Sequence, residues 1–191
     1  MGSLSSPIRT ASPAQREQDA AFFNEHHYLP RPRLVQWFAT LRCHLTCPHC
    51  LATCESSGLG PDMPLAQVID LIDQVADLGV EQFLITGGEP LIRQDLPDVV
   101  ARLHQRRIAW SLNTAAMPSP SQRRAFASYP PMFVAVSVDG PRSVHDAFRG
   151  REGAFDQAMQ AIRFFRSLPG VQVALGTTVT RFNFGALRET F

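Results

Sequence analysis

The chain has 191 residues, 45% of them hydrophobic, with a formal net charge of +1, which is enough for one ordinary domain with a real core. That balance gives no electrostatic reason to expect nucleic acid or an anionic membrane as partner, and no apolar run is long enough to span a bilayer. The N-terminus lacks the apolar core of a secretory signal, and four cysteines packed between positions 43 and 54 do not read as a disulfide framework, so a reducing, cytoplasmic setting is expected.

Residues 1–30 are rich in Ser, Pro, Gln and Ala. They read as a flexible leader with a short helix near Gln15 to Phe23. The remainder, 31–191, reads as one domain. Leu34 to Ala39 is a first strand. Pro64 to Leu78 is a helix, with Leu65, Val68, Ile69, Ile72 and Val75 at helical spacing, Pro64 in the first turn and Gly79 at the end. A second strand spans Gln82 to Thr86 and a second helix Leu96 to Gln105. A third strand covers Ile108 to Asn113, followed by a short helix at Ser121 to Ser128. Phe133 to Val138 is a strand apolar on both faces, as a buried parallel sheet requires. A helix follows at Phe155 to Ser167, a fifth strand at Val171 to Val179, and a last helix begins near Gly185. Strands alternating with helices imply βα units and a parallel sheet. The expected fold is an open partial barrel of parallel strands, with the basic run Arg102, His104, Arg106 and Arg107 at the solvated end of a helix.

Cys43, Cys47 and Cys50 stand in the run Cys43-His44-Leu45-Thr46-Cys47-Pro48-His49-Cys50, directly after the first strand. The C-x3-C-x2-C spacing offers three thiolates, whereas zinc and ordinary iron–sulfur sites use four ligands. Three thiolates on a compact loop suit three corners of a cubane cluster and leave one iron open. Cys54 is either a free thiol or a fourth ligand, and in the second case the site is a four-cysteine zinc module or a closed electron-transfer centre. In barrel-like α/β folds, a loop at a strand's C-terminal end is where active sites are built.

These cysteines, with Thr86-Gly87-Gly88-Glu89-Pro90, Ser137-Val138-Asp139-Gly140, His145 to Gly150, and Gly153-Ala154-Phe155, resemble the radical S-adenosylmethionine (SAM) enzymes. The last stretches are similar to members that carry an additional C-terminal cluster-binding domain. The resemblance implies a [4Fe–4S] cluster on Cys43, Cys47 and Cys50, with SAM on the open iron. It also implies reductive cleavage to a 5′-deoxyadenosyl radical that abstracts hydrogen from substrate. It places His49 beside the adenine, and Gly87, Gly88, Glu89 and Pro90 around the methionine amino end. Glu89 would accept from the ammonium. Ser137 and Asp139 would meet the ribose or amino-acid part, and Arg149 the carboxylate. Asn113, Thr114, Thr178 and Asn183 are weaker cavity candidates.

The implied partners are a one-electron reductant and a substrate that the sequence does not specify, with peptide or cofactor maturation favoured. The family usually has six βα units, and five are legible here. An exposed barrel edge is therefore expected, covered by a partner or by self-association, and a non-catalytic remnant that binds cluster or partner is the alternative.

Overall fold

A computed structural model describes residues 11–28, 30–50 and 60–190. Five parallel strands form one open sheet in the order β1-β2-β3-β4-β5: β1 Leu34–Thr40, β2 Gln82–Gly87, β3 Ala109–Thr114, β4 Phe133–Ser137 and β5 Gln172–Gly176. Between and around them lie α1 Pro13–His26, α2 Leu65–Asp77, α3 Leu96–Gln105, α4 Pro120–Ser128, α5 Arg142–Arg149, α6 Ala154–Arg166 and α7 Leu187–Thr190. The expected α/β architecture of successive parallel strands is the observed one. No helix among the described residues is long and apolar enough to cross a membrane.

The helices bury one face of the sheet. Val68, Ile72 and Val75 of α2 pack with Val99, Val100 and Leu103 of α3, Phe126 of α4 and Phe165 of α6. They meet Trp37, Phe83, Ile85, Trp110, Leu112, Val134 and Val136, the alternate residues that side-chain periodicity sends to that face. The opposite face carries Leu84, Thr86, Ser111, Asn113, Phe133, Ala135 and Ser137, which are half-buried. β4 is therefore apolar on both faces as expected, but only one of them is sealed. Strand register pairs Phe38 with Thr86, Leu84 with Ser111, and Asn113 with Ala135 on this open face.

Several elements differ from expectation. α1 is longer than the short helix expected. Ser12 caps it by accepting from the Gln15 N–H at 3.1 Å, with Pro13 in its first turn. The buried Asp19 of α1 pairs with Arg31 at 2.9 Å and ties the helix to the segment entering β1. β5 is shorter than expected: it ends at Gly176, and just beyond it the Thr177 hydroxyl donates to Val138 O at 2.6 Å. α5 is a helix where the sequence pattern indicates only a motif. The basic run at the end of α3 is no mere solvated end: Arg102 donates to Asp73 of α2 through two nitrogens, at 2.8 and 2.5 Å, and Arg106 pairs with Asp77. These pairs clip α3 to α2.

Candidate active site

The cysteine loop leaves the C-terminal end of β1, and two glycines explain how it is held there. A Cβ placed on Gly87 would lie 2.3 Å from Thr40 O, and one on Gly88 would lie 2.2 Å from Arg42 O. Gly87 also has φ +142°, which disfavours a side chain. The contact this permits is backbone on backbone. The Gly88 N–H donates to Thr40 O at 2.7 Å and the Glu89 N–H to Arg42 O at 2.9 Å. On the side where a Cβ would point, the two glycines face the backbone of residues 40–42, the three residues before Cys43. The end of β2 is welded to the start of the cysteine loop.

Glu89 sits just beyond, 2% exposed. Its Oε1 accepts from the Leu91 N–H at 3.1 Å and the Thr114 hydroxyl at 2.7 Å, and its Oε2 accepts from the Ala115 N–H at 2.8 Å. Burial pushes this carboxyl up, and the three donors oppose that shift. Oε2 has accepted only one bond and keeps capacity for another donor. Pro90 opens a short 3₁₀ turn, Pro90–Ile92, whose following residue Arg93 is buried. Arg93 donates to Ala39 O and Met63 O, each at 3.0 Å, forks onto Asp95, and lies over the Trp37 ring at 5.0 Å. Thr114, a cavity candidate by sequence, is instead buried and spends its hydroxyl on Glu89. Asn113 is half-buried on the open face.

The other wall of the cysteine loop is the C-terminal end of α5. The Thr46 N–H donates to Arg149 O at 3.1 Å. Gly150, with φ +65°, leaves room for Thr46: a Cβ there would fall 2.1 Å from its Oγ1. Arg149 Nη1 points at Cys47 Sγ at 3.7 Å. The His49 ring stacks on Phe148 with centroids 4.0 Å apart and planes 7° from parallel, and Phe148 stacks on Phe182 at 5.5 Å. One face of His49 is therefore taken by protein. Its Nδ1 is buried with no hydrogen-bond partner among the described residues, and burial together with Arg149 keeps the ring's pKa low.

Asp139 and Arg149 form a buried pair. Arg149 reaches Asp139 Oδ2 through Nε at 2.6 Å and Nη2 at 2.5 Å, while the Thr178 N–H donates to Oδ1 at 2.9 Å. Both carboxylate oxygens are committed inside the protein, so Asp139, expected by resemblance at the nucleoside or amino acid, stands as the anchor of Arg149. Asn183, also buried, donates to Asp139 O at 2.8 Å and Thr178 O at 2.9 Å, closing the turn after β5 over this pair. His145 is 0% exposed, and its Nδ1 accepts the Asp139 N–H at 3.1 Å. Its proton is thus on Nε2. The 3.8 Å approach of Nδ1 to the Asp139 carboxylate is then no ion pair, in keeping with the ring's lowered pKa. Ser137 is half-buried at the end of β4.

The three cysteines are half-buried on this loop. The Leu45 N–H lies 3.4 Å from Cys43 Sγ. Burial raises the Cys43 thiol, and the neighbouring Cys47 and Cys50 raise it further. Burial raises Cys47 too, with Arg149 pulling the other way. Among the described residues, no three His, Cys, Asp or Glu side chains converge as ligands of one metal ion. Three half-buried soft sulfurs carried on one short loop suit the thiolate corners of an iron–sulfur cage. Cys54, and with it the four-cysteine alternative, lies outside the described residues.

Fold and site together define an open α/β sheet carrying a thiolate loop at its C-terminal rim. The chain belongs to the radical SAM superfamily, whose family model matches residues 37–189. It is 32% identical over 166 residues to the AdoMet-dependent heme synthase of Nitratidesulfovibrio vulgaris, covering 85% of this chain and 44% of that one. It is 32% identical over 165 residues to the mycofactocin maturase MftC of Mycobacterium tuberculosis, covering 84% and 41%. Streptococcus suis SuiB has the same fold, at 17% identity with a TM-score of 0.72, covering 96% of this chain and 43% of SuiB. SuiB has also been solved with S-adenosylmethionine and with its precursor peptide SuiA. The chain spans less than half the length of these relatives.

Proposed function

We propose that this chain is the core of a radical SAM enzyme, holding a [4Fe–4S] cluster on Cys43, Cys47 and Cys50 with SAM at the open iron. What the cluster supplies when bound is one electron for reductive cleavage of SAM to methionine and a hydrogen-abstracting 5′-deoxyadenosyl radical. The observation that carries this reading is the clamp on the cysteine loop. Gly87, Gly88 and Glu89 fix its start, and Phe148, Arg149 and Gly150 fix its middle, so the segment bearing Cys43, Cys47 and Cys50 is held at the rim of the sheet.

The chain's own residues then divide the work. Glu89 offers Oε2 to the SAM ammonium, and Pro90 stiffens the turn that carries it. Arg149, oriented by Asp139, offers its remaining donor capacity to the SAM carboxylate. The His49 face not covered by Phe148 packs on the adenine. Ser137 supplies a hydroxyl at the same rim. The half-buried face bearing Thr86, Ser111, Asn113 and Ala135 receives the substrate.

Peptide or cofactor maturation is the favoured substrate class. A heme synthase and a mycofactocin maturase among the relatives support it, as does the precursor peptide bound to SuiB. A small one-electron reductant completes the set.

The test is anaerobic reconstitution with iron and sulfide, then dithionite and SAM, with 5′-deoxyadenosine read by chromatography. The reading predicts a brown protein with about four irons per chain that forms 5′-deoxyadenosine. A protein with a cluster and no 5′-deoxyadenosine is the non-catalytic remnant. A colourless protein with one zinc overturns the reading.

A further inference from the structure

Arg149 is committed in two directions at once. Nε and Nη2 are spent on Asp139, and Nη1 is turned towards Cys47 Sγ at 3.7 Å. The anchor is rigid: Asp139 is fully buried, its second oxygen is held by the Thr178 N–H, its own N–H is held by His145, and its carbonyl by Asn183. Arg149 is 8% exposed and always charged, so its guanidinium cannot swing away without leaving a buried carboxylate unpaired. The cysteine it faces is fixed from the same side, because the carbonyl of Arg149 accepts from the Thr46 N–H. Cys43 differs: the donor at its sulfur is the N–H of Leu45, two residues on in its own loop.

We infer that Arg149 is a positioning residue for the cluster: its guanidinium, locked by Asp139, donates to the Cys47 sulfur and raises the cluster's reduction potential. This rests on the cluster reading above. The physical basis is charge. Reduction adds one electron to a thiolate-ligated cluster, and a fixed cation with an N–H on a ligating sulfur favours the more negative state. Asp139 opposes this from further away, since it reaches Cys47 through Arg149. The N–H on Cys47 belongs to Nη1, whereas Nε and Nη2 hold Asp139, and a titration without SAM reads the Cys47 contact by itself.

The experiment is an EPR-monitored redox titration of the reconstituted protein without SAM. Parent protein is compared with Arg149→Lys and with the neutral pair Arg149→Gln/Asp139→Asn, which leaves no buried charge behind. Folding is checked by circular dichroism and cluster content by iron and sulfide. The midpoint potential is expected to move negative in both variants, further in the neutral pair. If the neutral pair fails to fold, Arg149→Lys decides on the same scale, because its compact ammonium cannot fork onto Asp139 and reach Cys47 together. A midpoint unchanged from the parent in a folded, cluster-loaded variant overturns this inference alone. A parent that assembles no cluster overturns the cluster reading and this inference with it.

Discussion

Replacing Gly88 with alanine is expected to lower stability by about 3–5 kcal/mol and to strip most of the iron from the reconstituted protein. The methyl group would sit 2.2 Å from Arg42 O, 2.7 Å from Arg42 C and 2.9 Å from Leu41 O. All three are backbone atoms, with no flexible side-chain end to move aside. Relief requires separating the end of β2 from the end of β1. That breaks the bonds from Gly88 N to Thr40 O and from Glu89 N to Arg42 O. Each is worth about 1 kcal/mol, and overpacking adds roughly 1–3 kcal/mol more. Cys43 is the next residue along, so the cysteine loop moves with the strain. Gly185→Ala is the control, since a Cβ there meets nothing within 4 Å. Urea unfolding and iron content measure both effects. Gly88→Ala with parental stability and iron would show that the weld between β1 and β2 does not hold the loop.

Changing Cys47 to alanine is the second large effect. Affinity for the cluster is expected to fall by more than about a hundredfold, since even loss of a supporting contact to a metal ligand costs roughly ten- to a hundredfold. SAM cleavage should disappear with it. Stability should change little in the apo protein, because Cys47 is only half-buried and its sulfur makes long contacts with Arg149, at 3.7 and 3.9 Å. The measurements are iron and sulfide content, 5′-deoxyadenosine formed under dithionite, and thermal unfolding of the apo protein. A Cys47→Ala protein that still forms 5′-deoxyadenosine without oxygen would remove the cysteine loop from the chemistry.

Much of the scaffold is legible in the sequence because local pattern and tertiary demand agree. α2, α3 and α6 each carry an apolar stripe at helical spacing, and most of those residues fill the core beneath the sheet. α3 coincides with its expected span. α5 is harder to see, because Arg142 to Arg149 is short and polar and coincides with a family motif. Its signal is nonetheless present, for His145, Phe148 and Arg149 stand at i, i+3 and i+4 and are its buried residues. The full length of α1 is signalled by Ser12 and Pro13, a cap outside the span that composition alone suggests.

The site is legible in its residue types and less so in its contacts. The spacing of Cys43, Cys47 and Cys50 and the pair Gly87-Gly88 are local facts, visible in one stretch of chain. Why the glycines are needed depends on Thr40 and Arg42, which precede them by a whole βα unit, and no local pattern encodes that proximity. The same holds for Asp139 and Arg149. Each looks in sequence like a ligand contact or a plain surface group, whereas α5 and the segment after β5 fold them into a buried pair with Thr178 and Asn183. The stacking of His49 on Phe148 joins the loop after β1 to a helix after β4 and is equally hidden.

The proposed chemistry turns on an iron that no protein side chain fills. The direct measurement is the EPR spectrum of the dithionite-reduced, reconstituted protein before and after SAM is added. Coordination of the SAM amino and carboxylate groups at that iron predicts a change in the g-values and line shape. A spectrum that SAM leaves untouched, from a protein with full iron and sulfide, would contradict it.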